Sequence, residues 1–158
     1  MKIEQMRWME KSGWTPVPPG GLGAAAQLVL VFAGTSLIQQ PDRLEEVRAA
    51  YPGARLIGCS TAGEICGTHV TDDSLVVTAI QFGHSTVGGA CIQIRAGETS
   101  FQSGERLAGA LESSGLRHVF VLSNGLKING SDLVRGLTSG LPADVAVTGG
   151  LAGDGGRF

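Results

Sequence analysis

Leu56 to Ile65 reads LIGCSTAGEI, an apolar run that passes within a few positions into small polar residues and a glutamate. Three chemistries suit such residues: a nucleophile held on a sharp turn, an anion cradle, or a tight bend that seats a small polar ligand. Four predicted strands end alike, in Ala33-Gly34-Thr35-Ser36, Gly58-Cys59-Ser60-Thr61, Ser123-Asn124-Gly125 and Thr148-Gly149-Gly150. In open α/β sheets, ligands bind outside the carboxyl ends of strands. Glycine lets a backbone approach a ligand closely, and Ser, Thr and Asn offer neutral hydrogen bonds. Converging ends of this kind make a small polar pocket with few charges. The plainer alternative is that each is only a tight turn.

The sharper chemistries fit less well. Gly58-Cys59-Ser60-Thr61-Ala62 nearly matches the G-x-S-x-G turn of hydrolases, with Ala62 in place of the second glycine. That turn needs a helix directly after the serine, and Ala62 to Gly67 carries two glycines in six residues, a poor helix start. The available bases are His69, His84 and His118. Cys59 as a nucleophile needs a nearby cation or helix N-terminus to lower its pKa, and no Lys or Arg follows it locally. Cys66 and His69 have metal-ligand spacing without a second pair, which favours a structural or surface role. The glycines of 149–156 lack the Lys-Ser/Thr of a phosphate loop, because Arg157 and Phe158 follow, and they lack the dinucleotide spacing. Glu64 and Asp154 remain. Each sits in a glycine-rich turn, where a carboxylate either grips backbone N–H groups or pairs with a ligand's ammonium.

Composition narrows the class. A chain of 158 residues is one domain by default, long enough to bury a useful core. The net charge is −2 with no basic block, so nucleic acid is not the expected partner. No apolar run approaches the roughly 20 residues of a membrane span, and the N-terminus lacks a signal-peptide core. Three cysteines cannot all pair within one chain. The expectation is a soluble, reduced, cytoplasmic protein. The 25 glycines cluster just after apolar runs, as tight turns at strand ends do.

The elements that must position these turns alternate between strand and helix. Ile3–Met9 reads as a first strand, followed by a loop rich in Pro and Gly. Leu28–Phe32 is a continuous apolar run, the pattern of a strand buried on both faces. Pro41–Tyr51 reads as a helix with Pro41 at its start and Leu44, Val47 and Tyr51 on one face. A strand from Arg55 leads into the opening stretch. Ser74–Phe82 and Thr86–Ile94 are two strand-like runs separated by three residues, which predicts a central β-hairpin. Thr99 and Gln102 have capping-box spacing, and Leu107, Ala110 and Leu111 supply that helix's apolar face. His118–Leu122 is a further strand, Ser131 caps a short helix, and Asp144–Val147 is the last strand. The fold class is α/β, with a mixed, partly parallel sheet flanked by helices and a central β-hairpin. The chain stops at Phe158 straight after a glycine-rich turn, and we expect it to be the first part of a longer protein.

LVLVFAG (28–34), LIGCSTAGEI (56–65), SLVVTAIQF (74–82), VLSNG (121–125) and GGLAGDG (149–155) together resemble the N-terminal domain of the FIST family, the F-box and intracellular signal transduction proteins. GCSTAGE and GGLAGD are the most specific pieces. Residues 1–25 read as an N-terminal strand and a Pro/Gly loop, and the resemblance implies a sensory domain over 26–158, cut before a C-terminal FIST domain. It implies a sensor rather than an enzyme, a small-molecule ligand such as an amino acid, and a signalling partner such as a histidine kinase or diguanylate cyclase. No nucleic acid, membrane or obligatory cofactor is expected. Haem is the alternative, since some bacterial relatives are described as haem-containing nitric oxide sensors; a hydrolase using Ser60 or Cys59 is another. The motif residues carried over as ligand-binding are Cys59, Ser60, Thr61, Gly63, Glu64, Gly149, Gly150 and Asp154. Ser123 and Asn124 join them from the strand-end reading.

Overall fold

A computed structural model describes residues 1–153. Two compact units divide them, one of Met1–Val87 with Gly153 and one of Gly88–Ala152.

The first unit is built on a five-stranded sheet. Its strands are β1 (Lys2–Met9), β2 (Gly13–Thr15), β3 (Leu28–Ala33), β4 (Arg55–Ser60) and β7 (Leu75–Gln81), in the order β2-β1-β7-β3-β4. A separate hairpin pairs β5 (Glu64–Cys66) with β6 (His69–Thr71). Strands β3 and β4 are parallel, and the other pairings of the large sheet are antiparallel. The sheet is therefore mixed and partly parallel, as the sequence predicts. The parallel pair is joined through α1 (Thr35–Ile38) and α2 (Pro41–Ala50). Pro41 opens α2, where its missing N–H costs nothing. Val47 and Tyr51 are buried against Val29, Val31, Ala33, Val77 and Met6, with Leu44 packed beside them.

The run LVLVF is buried mainly on one face. Val29, Val31 and Ala33 are fully buried, while Leu28, Leu30 and Phe32 are half-buried. A pleated strand sends alternate side chains to opposite faces, and α1 and α2 cover the face that carries the valines.

The central hairpin does not form. Residues 82–97 contain no strand. The reason lies in the sheet order: β7 is paired with β1 on one side and β3 on the other, so neither edge is free for Thr86–Ile94. The apolar alternation of that segment is real, but the N-terminal strand takes the edge it would need.

In the second unit, β8 (His118–Ser123) and β9 (Ala146–Leu151) form a parallel pair beside α3 (Ser100–Gly109) and α4 (Gly130–Gly140). Ala108, Val119, Val121, Leu133, Leu137 and Val145 make its core. The capping box forms as the spacing predicts. Thr99 Oγ1 accepts from the Gln102 amide at 3.2 Å, and Gln102 Oε1 accepts from the Thr99 amide at 2.9 Å. Asn129, not Ser131, caps α4, its Oδ1 accepting from the Asp132 amide at 3.1 Å. Asn is at least as good a cap, and Leu133 and Leu137, four residues apart, share the buried face.

Small residues let α3 and α4 meet closely. Gly104 and Gly136 are both buried. A Cβ on Gly104 would overlap the Leu133 carbonyl and lie 2.7 Å from the Leu137 nitrogen. A Cβ on Gly136 would overlap the Phe101 carbonyl.

Candidate functional site

The parallel register of β3 and β4 sets the site. Ala33 stands opposite Ser60, and the Thr61 amide donates to the Ala33 carbonyl at 3.0 Å. Gly34-Thr35-Ser36 and Thr61-Ala62-Gly63 thus leave the sheet side by side at its carboxyl end. Gly58 makes the pairing work, because a Cβ there would overlap the Val31 carbonyl across the ladder. The Gly34 amide turns aside to the Ser74 carbonyl at 3.2 Å, which brings the start of β7 into the same corner.

Glu64 holds this corner together. Its side chain is 1% exposed, and among the described residues no lysine or arginine pairs with it in a salt bridge. Thr61 Oγ1 donates to Glu64 Oε1 at 2.6 Å. The Ser74 amide and hydroxyl reach Glu64 Oε2 at 3.0 Å and 2.9 Å. Ser74 Oγ lies 2.9 Å from Thr71 Oγ1. A buried carboxylate survives without a cation when such donors satisfy it. Glu64 therefore spends both oxygens inside the protein, and its partner Thr61 is half-buried.

Backbone conformation and close contact complete the turn. Gly63 has φ +145°, a region closed to side-chain-bearing residues. The Gly153 amide donates to the Ser60 carbonyl at 2.9 Å. A Cβ on Gly153 would sit 2.9 Å from the Ala62 nitrogen and 3.3 Å from Thr61 Cα. The segment GCSTAGE thus meets Gly153 through Ser60. Two further acids line the corner: Asp73, at φ 52°, lies against Gly34, and Asp72 lies beside Gly63. Sequence reasoning missed Ser74, Thr71, Asp72 and Asp73. The run TDDS just before an apolar strand was their only local signal.

The remaining candidates stand elsewhere or have other work. Ser123 and Asn124 follow β8 in the second unit. Ser123 gives its carbonyl to the Ala152 amide at 2.8 Å, and Asn124 Oδ1 accepts from the Leu126 and Lys127 amides at 2.9 Å and 2.8 Å. Gly149 and Gly150 lie inside β9 rather than after it, opposite Val121 and Leu122. Gly149 adopts φ +151°, and a Cβ there would overlap the Val121 carbonyl, so strand pairing demands it. Asp154 lies outside the described residues.

Burial raises the pKa of the Cys59 thiol, which leaves it a poor nucleophile. Ser60 is followed by a turn and then β5, with no helix to aim its hydroxyl. His69, His84 and His118 are all exposed, and His118 Nε2 is 2.8 Å from Thr148 Oγ1. None stands in the apolar slot that haem ligation needs, so the histidines do not fit that cofactor. Among the described residues no three His, Cys, Asp or Glu side chains cluster as a metal site. In the second unit, an open depression of about 590 Å³ is lined by Arg95, Glu98, Gln102 and Arg106 among others. Its floor is an ion pair, Arg106 Nε to Glu98 Oε1 at 2.8 Å.

The family model of the FIST N domain matches residues 27–158. The chain belongs to the FIST N domain family. The match includes β3, β4, the Glu64 turn and both signature segments. FIST N domains are sensory domains of signal-transduction proteins. No curated protein and no solved structure matches the chain. Among the described residues of this FIST domain, no helix is long and apolar enough to cross a membrane.

Proposed function

We propose that this FIST domain senses a small polar ligand, an amino acid by class, at the carboxyl ends of β3 and β4. It passes the bound state to a signalling partner such as a histidine kinase or a cyclic-di-GMP enzyme. The observation that carries this reading is the built corner around Ser60 and Thr61. A buried carboxylate, a glycine at φ +145° and the Gly153 amide all brace this turn. Polar burial of this kind is costly unless satisfied. Position at the strand ends agrees with where α/β sheets bind ligands. Ser60 and Thr61 supply neutral hydrogen bonds. The domain is read as a binding module without catalysis, because Cys59 has a raised pKa and Ser60 lacks an activating helix.

A thermal-shift screen of the chain against amino acids and related metabolites tests this. A ligand at about 100 times its Kd stabilises by ~2.7 kcal/mol, or roughly 5–10 °C at this size. A selective shift that disappears in Ser60→Ala is the expected result. A shift that Ser60→Ala leaves unchanged places the ligand elsewhere.

A further inference from the structure

We infer that Asn124-Gly125 is a site of spontaneous covalent modification, at which Asn124 closes to a succinimide and opens to aspartate or isoaspartate. The inference goes beyond the ligand reading and does not depend on it, since water is the only co-reactant.

The sequence holds two Asn-Gly steps, Asn124-Gly125 and Asn129-Gly130. In each, the glycine nitrogen can reach the asparagine Cγ because no Cβ obstructs it. Attack forms an N–C bond and a five-membered ring. The glycine amide proton passes to the departing side-chain nitrogen, which leaves as ammonia. Water then opens the ring. Attack at Cγ leaves aspartate, and attack at the main-chain carbonyl leaves isoaspartate, whose chain runs through Cβ and Cγ. Nothing is oxidised or reduced.

The fold sets the two steps apart. Asn124 is exposed directly after β8, and its Oδ1 accepts from the Leu126 amide at 2.9 Å and the Lys127 amide at 2.8 Å. These bonds fold the carboxamide back over the Gly125 peptide, beside the nitrogen that attacks. Two amides on one carbonyl oxygen also draw electrons from Cγ. They stand where donors hold the oxyanion of a tetrahedral intermediate, which lowers acyl-transfer barriers. Asn129 Oδ1 has one such donor, the Asp132 amide at 3.1 Å. Its glycine is the first residue of α4, so swinging the Gly130 nitrogen onto Cγ breaks the cap and unwinds the first turn. Asn124 is the reactive step and Asn129 the protected one, although the dipeptides are identical.

The products differ in what they do to the turn. Each event makes a chain of net charge −2 one unit more negative. Aspartate keeps the turn, because a carboxylate accepts from the same two amides. Isoaspartate adds a main-chain methylene between Ser123, whose carbonyl holds the Ala152 amide, and Ile128, which is buried in the second unit's core.

The test is incubation of the full chain at mildly alkaline pH, followed by peptide mapping with mass spectrometry that separates isoaspartate from aspartate. The same chain unfolded in urea is the reference, and both steps should react alike there. In the folded chain, Asn124 should convert at least as fast as in urea and roughly tenfold or more faster than Asn129. Gly125→Ala, at a residue without a positive φ, should slow conversion at Asn124 and leave Asn129 as it was. A folded chain in which Asn124 converts more slowly than in urea, or no faster than Asn129, would overturn the assignment. So would a Gly125→Ala chain that converts at the wild-type rate.

Discussion

Thr61 and Glu64 are three residues apart, and their side-chain oxygens are 2.6 Å apart, with the glutamate buried and the threonine half-exposed. The pair turns a short glycine-rich stretch into a defined corner. Its worth to the fold is measurable. Glu64→Ala leaves the Ser74 amide and hydroxyl without their acceptor, at a cost of about 2–4 kcal/mol. Urea unfolding should show that loss, and the melting temperature should fall by roughly 5–15 °C. Glu64→Gln should cost less, about 1–2 kcal/mol. A Glu64→Ala protein within about 0.5 kcal/mol of wild type would mean that the carboxylate is not buried as described.

The helix pair gives a contrast between glycines of one helix. Gly104→Ala drives a methyl into the Leu133 carbonyl, whereas Gly109 has nothing within 4 Å of its would-be Cβ. Overpacking costs about 1–3 kcal/mol or more. An exposed helical Gly→Ala gains about 0.5–1 kcal/mol. Denaturation curves should therefore move in opposite directions. Two shifts of the same sign would contradict the close approach of α3 and α4.

Tyr51 ties the Pro/Gly loop to the sheet. Its hydroxyl donates to Glu4 Oε1 at 2.5 Å and accepts from the Gly20 amide at 3.0 Å. Burial first, and the Glu4 carboxylate second, raise its pKa well above the ordinary value. A raised pKa means that the folded state favours the neutral phenol. Its contribution is fully present below the unfolded pKa of about 10 and is lost as pH climbs beyond it. Tyr51→Phe should cost about 1–2 kcal/mol at neutral pH and flatten the alkaline fall in stability above about pH 10. An unchanged alkaline limb in the variant would refute the assignment.

Glu98 acts at the other end of the scale. The Arg95 amide is the main group holding its carboxyl below the usual range, with the Arg106 guanidinium adding to it. A lowered pKa favours the folded state above the unfolded value of about 4.3, and the gain disappears as pH falls through the folded one. Glu98→Gln should lessen the loss of stability on acidification below about pH 4. If the acid limbs of variant and wild type superimpose, Glu98 contributes nothing there.

Local signals made much of this fold legible. Pro41 with Leu44, Val47 and Tyr51 marked α2, Thr99 and Gln102 marked the start of α3, and LVLVF marked β3. Each depends on neighbours within a turn or two. What depended on distant pairing was not legible. Thr86–Ile94 has the alternation of a strand, yet β1 occupies the edge it needs. Gly149 reads as a turn residue, but its missing Cβ serves the contact with Val121 inside β9. Glu64 stood out as an acid in a glycine turn, while its main partner, Ser74, lies ten residues on and becomes visible only when β7 docks beside β3.

The most direct test of the ligand site is a titration of the isotopically labelled chain, followed by backbone amide chemical shifts, with the amino acid that gives the greatest thermal stabilisation. The largest perturbations should fall on Gly34 to Ser36 and Thr61 to Glu64, with Ser74 moving through its bond to Glu64. Perturbations confined to other segments, such as Arg95 to Arg106, or no saturable perturbation at all, would contradict a ligand seated at the ends of β3 and β4.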